Sequence, residues 1–521
     1  MLAKLPSQSD RSRPILVVIA VLMAAFLTAF DVRTASIGLT DLRGAFGLSF
    51  DQGSWLSTFA TAPQVLVAPC VAWLVTVFGV KRVMTVPTFV YAAISITIPF
   101  VQSFEVLLLM HAARAVLLGI FVPATLMTAF RNLDSEYWIV ALASYVARIP
   151  IAQNLGVYTA GSYTQTIGWH WLYWQDAFIA PMIGILLWFG VRSVEINRDL
   201  LRRADWGGMA LFGVTLTMLY VALDQGNRLD WFRSGFVVSM FIASGFLALV
   251  FLSHESLAKD PWAHLSVMFS RNIALSFLAI FAFMVASLSS SFLAPNFLIS
   301  VTHLRPEQIG NFSAPYAILL LVCATVGAVM LVRTIGPRLS LIAGFTCFAL
   351  SSWLGTSLTS LWAIPEFEMI VVLQTVAEEL TFLAAVIMIL SRADPARAIA
   401  LSAYIQLLRL ICAEIATTTM ATWIRQREQL HSYLLGLHVT NGASDLSSTL
   451  TALGSGSGTS ASQLDSARRG VGLLATIVQR EANVLAYIDG FWIAFSAAIV
   501  GMCTVALMAR APPHPLTQRG M

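Results

Sequence analysis

About fourteen runs of this 521-residue chain are apolar over some twenty residues, the length an α-helix needs to cross roughly 30 Å of hydrocarbon. They lie near residues 15–38, 54–78, 83–103, 106–130, 138–164, 173–191, 207–225, 235–253, 273–300, 311–333, 339–358, 367–390, 398–424 and 487–509. In lipid a spanning segment must satisfy its own backbone hydrogen bonds, so each run has to be helical. The expected fold class is an all-α polytopic membrane protein. Apolar residues make up 58% of the chain and charged residues 11%, against roughly 45–50% and 25% in soluble proteins, which excludes a soluble multidomain enzyme.

The placement of charge sets the expected orientation. With the N-terminus cytoplasmic, 18 of the 31 Lys and Arg fall in cytoplasmic segments and nine on the opposite side. Positive loops stay on the cytoplasmic side, so both termini are expected there, in the inner membrane. The N-terminal MLAKLPSQSDRSRP leads into a run too long for a signal peptide and reads as an uncleaved first span. The basic segment RSVEINRDLLRRADW (Arg192–Trp206) separates six spans from the rest. The only large extramembrane piece follows Arg425. It holds a flexible tip, GSGSGTSAS, between helix-like stretches, REQLHSYLLGLH before it and Gln463–Leu485 after it, which suggests a helical hairpin.

Charges inside the apolar runs are costly, so each marks a candidate site. Asp31 and Arg33 are two residues apart and point to nearly opposite sides of a helix. Each therefore needs a partner elsewhere. His111 and Arg114 are three apart and share a face. Glu378 and Glu379 are adjacent, about 100° apart, so one can face a cavity while the other faces a neighbouring helix or pairs with Arg409. Glu414 could pair with Arg148 or Arg409, and Tyr158 follows Arg148 along the same helix and could offer a polar contact. Cys70, Cys323, Cys347, Cys412 and Cys503 lie in apolar runs and read as small core residues. No G-x-x-x-x-G-K-[ST] loop exists, which disfavours an ATP-driven pump. No nucleophile or metal constellation supports an enzyme. No cofactor and no nucleic-acid partner are expected.

As a set, several segments resemble the fourteen-span drug:proton antiporters of the major facilitator superfamily, EmrB/QacA type. FLTAFDVRTASIGLTDLRGAFGLSFDQGSWL (Phe26–Leu56) carries that family's acid near the end of span 1 as Asp31 and its Q-G-x-W as Gln52–Trp55. GWHWLYWQDAF (Gly168–Phe178), DQGNRLDWF (Asp224–Phe232) and PWAHLSVMFSRN (Pro261–Asn272) resemble its segments around spans 6, 7 and 9, and Arg409 matches its span-13 arginine. Three motifs depart. AWLVTVFGVKR (Ala72–Arg82) has Val75 and Val77 where the gate's Asp and Arg would stand, keeping only Gly79 and Lys81-Arg82, so the gate must be stabilised differently. GVYTAG (Gly156–Gly161) replaces the proline and a glycine of G-P-x-x-G-G. MHAARAVLLGIFVP (Met110–Pro123) puts His111 at the family's arginine and Arg114 one turn later.

The resemblance implies two six-helix bundles, 1–191 and 256–510, the second including a long periplasmic loop 425–486. It implies a linker with two extra spans over 192–255 and a cytoplasmic tail 511–521. Spans 1 and 4 would be neighbours, making Arg114 or His111 the partner of Asp31 in proton coupling. Arg33, Arg148, Tyr158, Glu378, Glu379, Arg409 and Glu414 would serve a substrate cavity. The expected function is export of small amphipathic or hydrophobic compounds driven by the proton gradient, of the multidrug-efflux kind. A periplasmic adaptor and an outer-membrane channel would be partners. A dedicated exporter of one metabolite, such as a siderophore, stays open. So does a non-transporting sensor or assembly protein with this fold.

Overall fold

The computed structural model describes residues 13–258, 262–263, 270–392, 398–437, 439, 444–455 and 463–511. Most of PWAHLSVMFSRN, the first twelve residues, 456–462 of the glycine-rich tip and the tail from 512 lie outside them. Fourteen long helices dominate: α1 (Pro14–Ile37), α2 (Phe50–Phe78), α3 (Val80–Thr97), α4 (Phe104–Asn132), α5 (Trp138–Ser162), α6 (Trp171–Gly190) and α7 (Trp206–Gly226). They continue as α8 (Gly235–Leu257), α9 (Arg271–Ala286), α10 (Pro306–Ile335), α11 (Pro337–Gly355), α12 (Glu368–Leu390), α13 (Ala398–Gly436) and α14 (Gln463–Ala506). Among the described residues, twelve helices are long and apolar enough to cross a membrane. The two others are α5 and α10. Arg148, Gln153 and Asn154 interrupt α5, and in α10 the described apolar stretch is Leu320–Ile335. The chain is a multi-pass integral membrane protein.

The ends of these helices follow from local chemistry. Ser49 and Gln52 form a reciprocal capping box at the start of α2, with bonds of 2.9 and 3.2 Å. Gly79 (φ +80°) and Gly336 (φ +86°) each make the whole connection between two antiparallel helices, α2 to α3 and α10 to α11. Only glycine takes that backbone without strain. An arginine follows each turn and donates to carbonyls at or just beyond a neighbouring helix end. Arg82 reaches the Val194 carbonyl at 3.1 Å, and Arg338 reaches Ala506 at 2.8 Å. Lys81 lies 4.6 Å over the Trp188 ring. The loop that lost its Asp and Arg is thus held by carbonyl contacts and a cation–π contact.

α1 packs against α4, α5 and α6, and α9 against α12, α13 and α14. Helices α7 and α8 form a pair, α7 lying on α2 and α13. The approach of α7 to α2 is close because Gly213 sets its backbone against the Leu66 carbonyl; a methyl there would stand 2.5 Å from that oxygen. α8 is the outermost helix, with Ile242, Phe246 and Leu249 more than 60% exposed. In a bilayer those side chains face lipid.

The stretches flanking the glycine-rich tip are helical and continue their spans. α13 has 39 residues and α14 has 44, about 58 and 66 Å at 1.5 Å per residue, well beyond the hydrocarbon thickness. Asp489 ties them together, accepting from Arg427 at 2.6 Å and His431 at 2.8 Å. A short helix that the sequence reading did not anticipate, Ser444–Ser455, packs on α14 where Gly470 meets the Leu450 backbone.

The close approach at Gly213 makes a stability prediction. Gly213→Leu will lower the melting temperature of the purified protein, at a cost of about 1–3 kcal/mol from overpacking. Gly245→Leu, where a Cβ meets nothing within 4 Å, will leave it unchanged. Equal melting of the two variants would contradict the packing described.

Candidate functional site

Four helices meet at one guanidinium. Arg114 of α4 donates through Nη2 to Asp31 Oδ1 of α1 at 2.6 Å, to Asp176 Oδ2 of α6 at 2.5 Å and to the Tyr91 hydroxyl of α3 at 2.7 Å. The Tyr91 hydroxyl donates in turn to Asp176 Oδ2 at 3.0 Å. The guanidinium carbon lies 4.8 Å from the Tyr91 ring centroid and 5.1 Å from that of Tyr173. Asp31, Arg114 and Asp176 are 5%, 3% and 0% exposed, so water cannot screen the charges. The cluster contains two carboxylates and one cation. Carboxylates this close can share a proton, and the cluster then is neutral.

Of the two candidate partners for Asp31, the structure selects Arg114. His111 sits on the same face but bonds elsewhere: Nδ1 to the Leu107 carbonyl at 2.9 Å and Nε2 to the Tyr173 hydroxyl at 3.1 Å. It positions the ring that covers Arg114. The sequence reading did not single out Asp176. The signal was present, since an acid opening an apolar stretch, DAFIAPMIGILLWFG, meets the criterion that selected Asp31.

The other face of α1 borders a cavity of about 820 Å³. Two residues turn a helix by about 200°, so Arg33 points away from Asp31 and into this space. Its side chain crosses α5 at Gly156, where a Cβ would come within 2.7 Å of Arg33 Cγ. A residue with a side chain at 156 would collide with Arg33. Arg409 of α13 and Glu378 of α12 also line the cavity. Two π-helical turns, Tyr163–Ile167 and Ser289–Leu293, contribute Thr164, Gln165, Ser291 and Phe292 to its wall. Such turns are wider than α-helix and occur often at functional sites. Thr40, Asp41 and Arg305 form the mouth. They follow odd-numbered helices, as the long insertion after α13 does. A smaller cavity of about 220 Å³ adjoins the first and shares Arg33, Gln153, Pro295 and Glu378 with it.

The remaining sequence candidates lie off these walls. Glu379 is buried with both oxygens unbonded among the described residues, so it does not pair with Arg409. Arg409 instead donates to Gln406 at 3.3 Å. Arg148 is buried 4.3 Å over the Tyr145 ring, with Nη1 at 3.4 Å from the Ala25 carbonyl, and is absent from the cavity lining. Tyr158 is 39% exposed and also off the lining, with its backbone against Gly310 of α10. Glu414 pairs with neither Arg148 nor Arg409. It turns to α7, bonding Thr418 at 2.8 Å and the Tyr220 hydroxyl. Near it Asp224 accepts from Thr58 of α2 and from Gln225 at 3.0 Å, so polar contacts fasten α7 to both α2 and α13. The sequence could not show this, because α7 has no periodicity that tells where it docks.

Comparison with known proteins agrees with this architecture. The Multidrug export protein EmrB of Haemophilus influenzae is 25% identical over 303 residues, covering 58% of this chain and 59% of that protein. Its Escherichia coli K12 counterpart is 24% identical over 306 residues, with the same coverage. The chain thus spans about three fifths of the length of these relatives. The Fatty acid resistance protein FarB of Neisseria gonorrhoeae is 21% identical over 426 residues, covering 80% of this chain and 82% of that one. In three dimensions the chain is similar to the proton:xylose symporter XylE at 11% identity, with a TM-score of 0.56 and 94% of both chains covered. It is also similar to a bacterial homologue of the human lysosomal transporter Spinster at 13% identity, with a TM-score of 0.53 and 95% and 97% covered. A profile of the Major Facilitator Superfamily matches residues 21–411, and the chain belongs to that superfamily of membrane transporters.

Proposed function

We propose that this transporter is a proton-coupled exporter of small amphipathic or hydrophobic compounds, with Asp31, Asp176 and Arg114 as its proton-coupling centre. The observation that carries the reading is two buried carboxylates on one guanidinium, on the side of α1 opposite a large cavity. One proton neutralises the cluster, and its loss leaves a net negative charge with no water to solvate it. The protonated and deprotonated states therefore favour different packing of α1, α3, α4 and α6. Because α1 carries Asp31 on one side and Arg33 on the other, a shift of this helix reaches both the proton and the substrate.

In the proposed orientation both termini are cytoplasmic, from the bias of Lys and Arg, and the cavity mouth opens to the opposite side. Alternating access is a rocking of two six-helix bundles about the cavity, with α7 and α8 as the extra pair. The similarity to multidrug export and fatty acid resistance proteins supports export of amphipathic compounds. The paired extensions of α13 and α14 offer a surface for a periplasmic adaptor that leads to an outer-membrane channel. Arg148, Glu379, Tyr158 and Glu414 then act on bundle packing and on the docking of α7 rather than on substrate directly.

Two results test the reading. In proteoliposomes with an imposed pH gradient, the wild type will move a fluorescent amphiphile, and a protonophore will stop it. Asp31→Asn and Asp176→Asn will each abolish gradient-driven transport while substrate exchange without a gradient survives. Transport by both variants at the wild-type rate with an intact gradient dependence would overturn the assignment.

A further inference from the structure

We infer that an open groove between α9, α13 and α14 holds one phospholipid with a primary-ammonium head group, its chain along α14 and its head at Asp489 and Arg427. The groove has a volume of about 550 Å³ and lies apart from the large cavity. Phe283, Met284 and Ser287 line that cavity from one face of α9, whereas Leu278, Phe281 and Val285 line the groove from another. Trp492, Ser496 and Val500 form its α14 wall at helical spacing. Leu278, Trp492 and Val500 are exposed, so the groove opens to lipid. From Asp489 to Val500 the wall runs about 16 Å at 1.5 Å per residue, half of a hydrocarbon core roughly 30 Å thick and so the depth of one leaflet.

Charge at one end decides the occupant. Among the described residues, Asp489 is the only charged one in the groove wall. It lies where α13 and α14 leave the hydrocarbon, and Trp423 lines the same end, an aromatic of the kind that sits at the membrane interface. Arg427 and His431 both donate to Asp489 Oδ2, and Oδ1 takes no hydrogen bond among the described residues. Arg427 bonds through Nε and places its guanidinium carbon 5.5 Å from the Trp423 ring centroid, so both residues it touches line the groove. Its two terminal nitrogens are unbonded among the described residues. Arg425 turns away to Asp230, 3.9 Å distant, on the α7 side. The groove thus ends in an anionic acceptor and a cationic fork side by side. A zwitterion matches both, its phosphate accepting from the Arg427 fork and its ammonium donating to Asp489 Oδ1. A choline head has no N–H to donate and a glycerol head carries no positive charge, so a primary ammonium completes the site.

Native mass spectrometry of the full-length protein in neutral detergent tests this. The probes are dioleoyl phosphatidylethanolamine, phosphatidylcholine and phosphatidylglycerol, which share their chains and differ in head group. The first is expected to be retained roughly tenfold more tightly than the other two, the scale of one charge-assisted hydrogen bond. Asp489→Asn will remove that preference and leave phosphatidylcholine binding unchanged. Arg427→Gln will weaken all three lipids, which share the phosphate. Ala497→Trp fills the groove and leaves the bonds of Asp489 in place. It will also weaken all three, and it separates loss of the site from any loosening of the α13–α14 pair. Equal retention of the three lipids by the wild type, or an ethanolamine preference that survives either Asp489→Asn or Ala497→Trp, would overturn the inference. So would a second copy of the chain on this face, read as a dimer that retains none of the probes.

Discussion

One nitrogen, Nη2 of Arg114, joins α1, α3, α4 and α6 at a single buried point. An arginine so placed in an apolar bundle must be neutralised there, because no water reaches it. Asp31 and Asp176 provide the charge, Tyr91 a bridging hydroxyl, and the Tyr91 and Tyr173 rings two aromatic faces. Removing one member leaves the others unmatched, and breaking such a pair costs about 3–5 kcal/mol. The cluster therefore ties the fold and the chemistry together. The contacts that hold four helices in register are the ones whose balance changes with a single proton.

On the proposed reading, the geometry of α1 carries that change to the cavity. Asp31 and Arg33 are separated by one residue and by about 200° of helix, so they serve different spaces from one rigid element. Gly156 lets Arg33 pass along α5, and the two π turns open the walls beside it. The second half of the chain supplies Glu378 and Arg409 from α12 and α13. The cavity is thus built from both halves of the chain, as the proposed alternating access requires.

Much of this could be read in the sequence, and the rest had physical reasons for being hidden. Fourteen apolar runs gave the helices, and the charges within them marked Asp31, Arg33, Arg114 and Arg409. Choosing between His111 and Arg114 needed tertiary structure, since both lie on one face and only distance separates Tyr173 from Asp31 as partners. The same holds for Glu378 and Glu379, where 100° of helix decides which one meets the cavity. Glu414 misled because its neighbour belongs to α7, whose docking depends on a backbone contact at Gly213 that no pattern of hydropathy encodes. Asp176 was legible by the rule that found Asp31, but it lies within GWHWLYWQDAF, which entered the reading only through its resemblance to the family's span-6 segment.

The central claim is that a proton on the Asp31–Asp176–Arg114 cluster is exchanged for substrate. Its most direct test is proton release from purified protein in weakly buffered detergent solution, followed with a pH dye as a transported amphiphile is added. Wild type should release close to one proton per bound molecule, Asp31→Asn and Asp176→Asn should release none, and Glu379→Gln should behave as wild type. Unchanged release from both aspartate variants would place the exchanged proton elsewhere in the molecule and contradict the assignment.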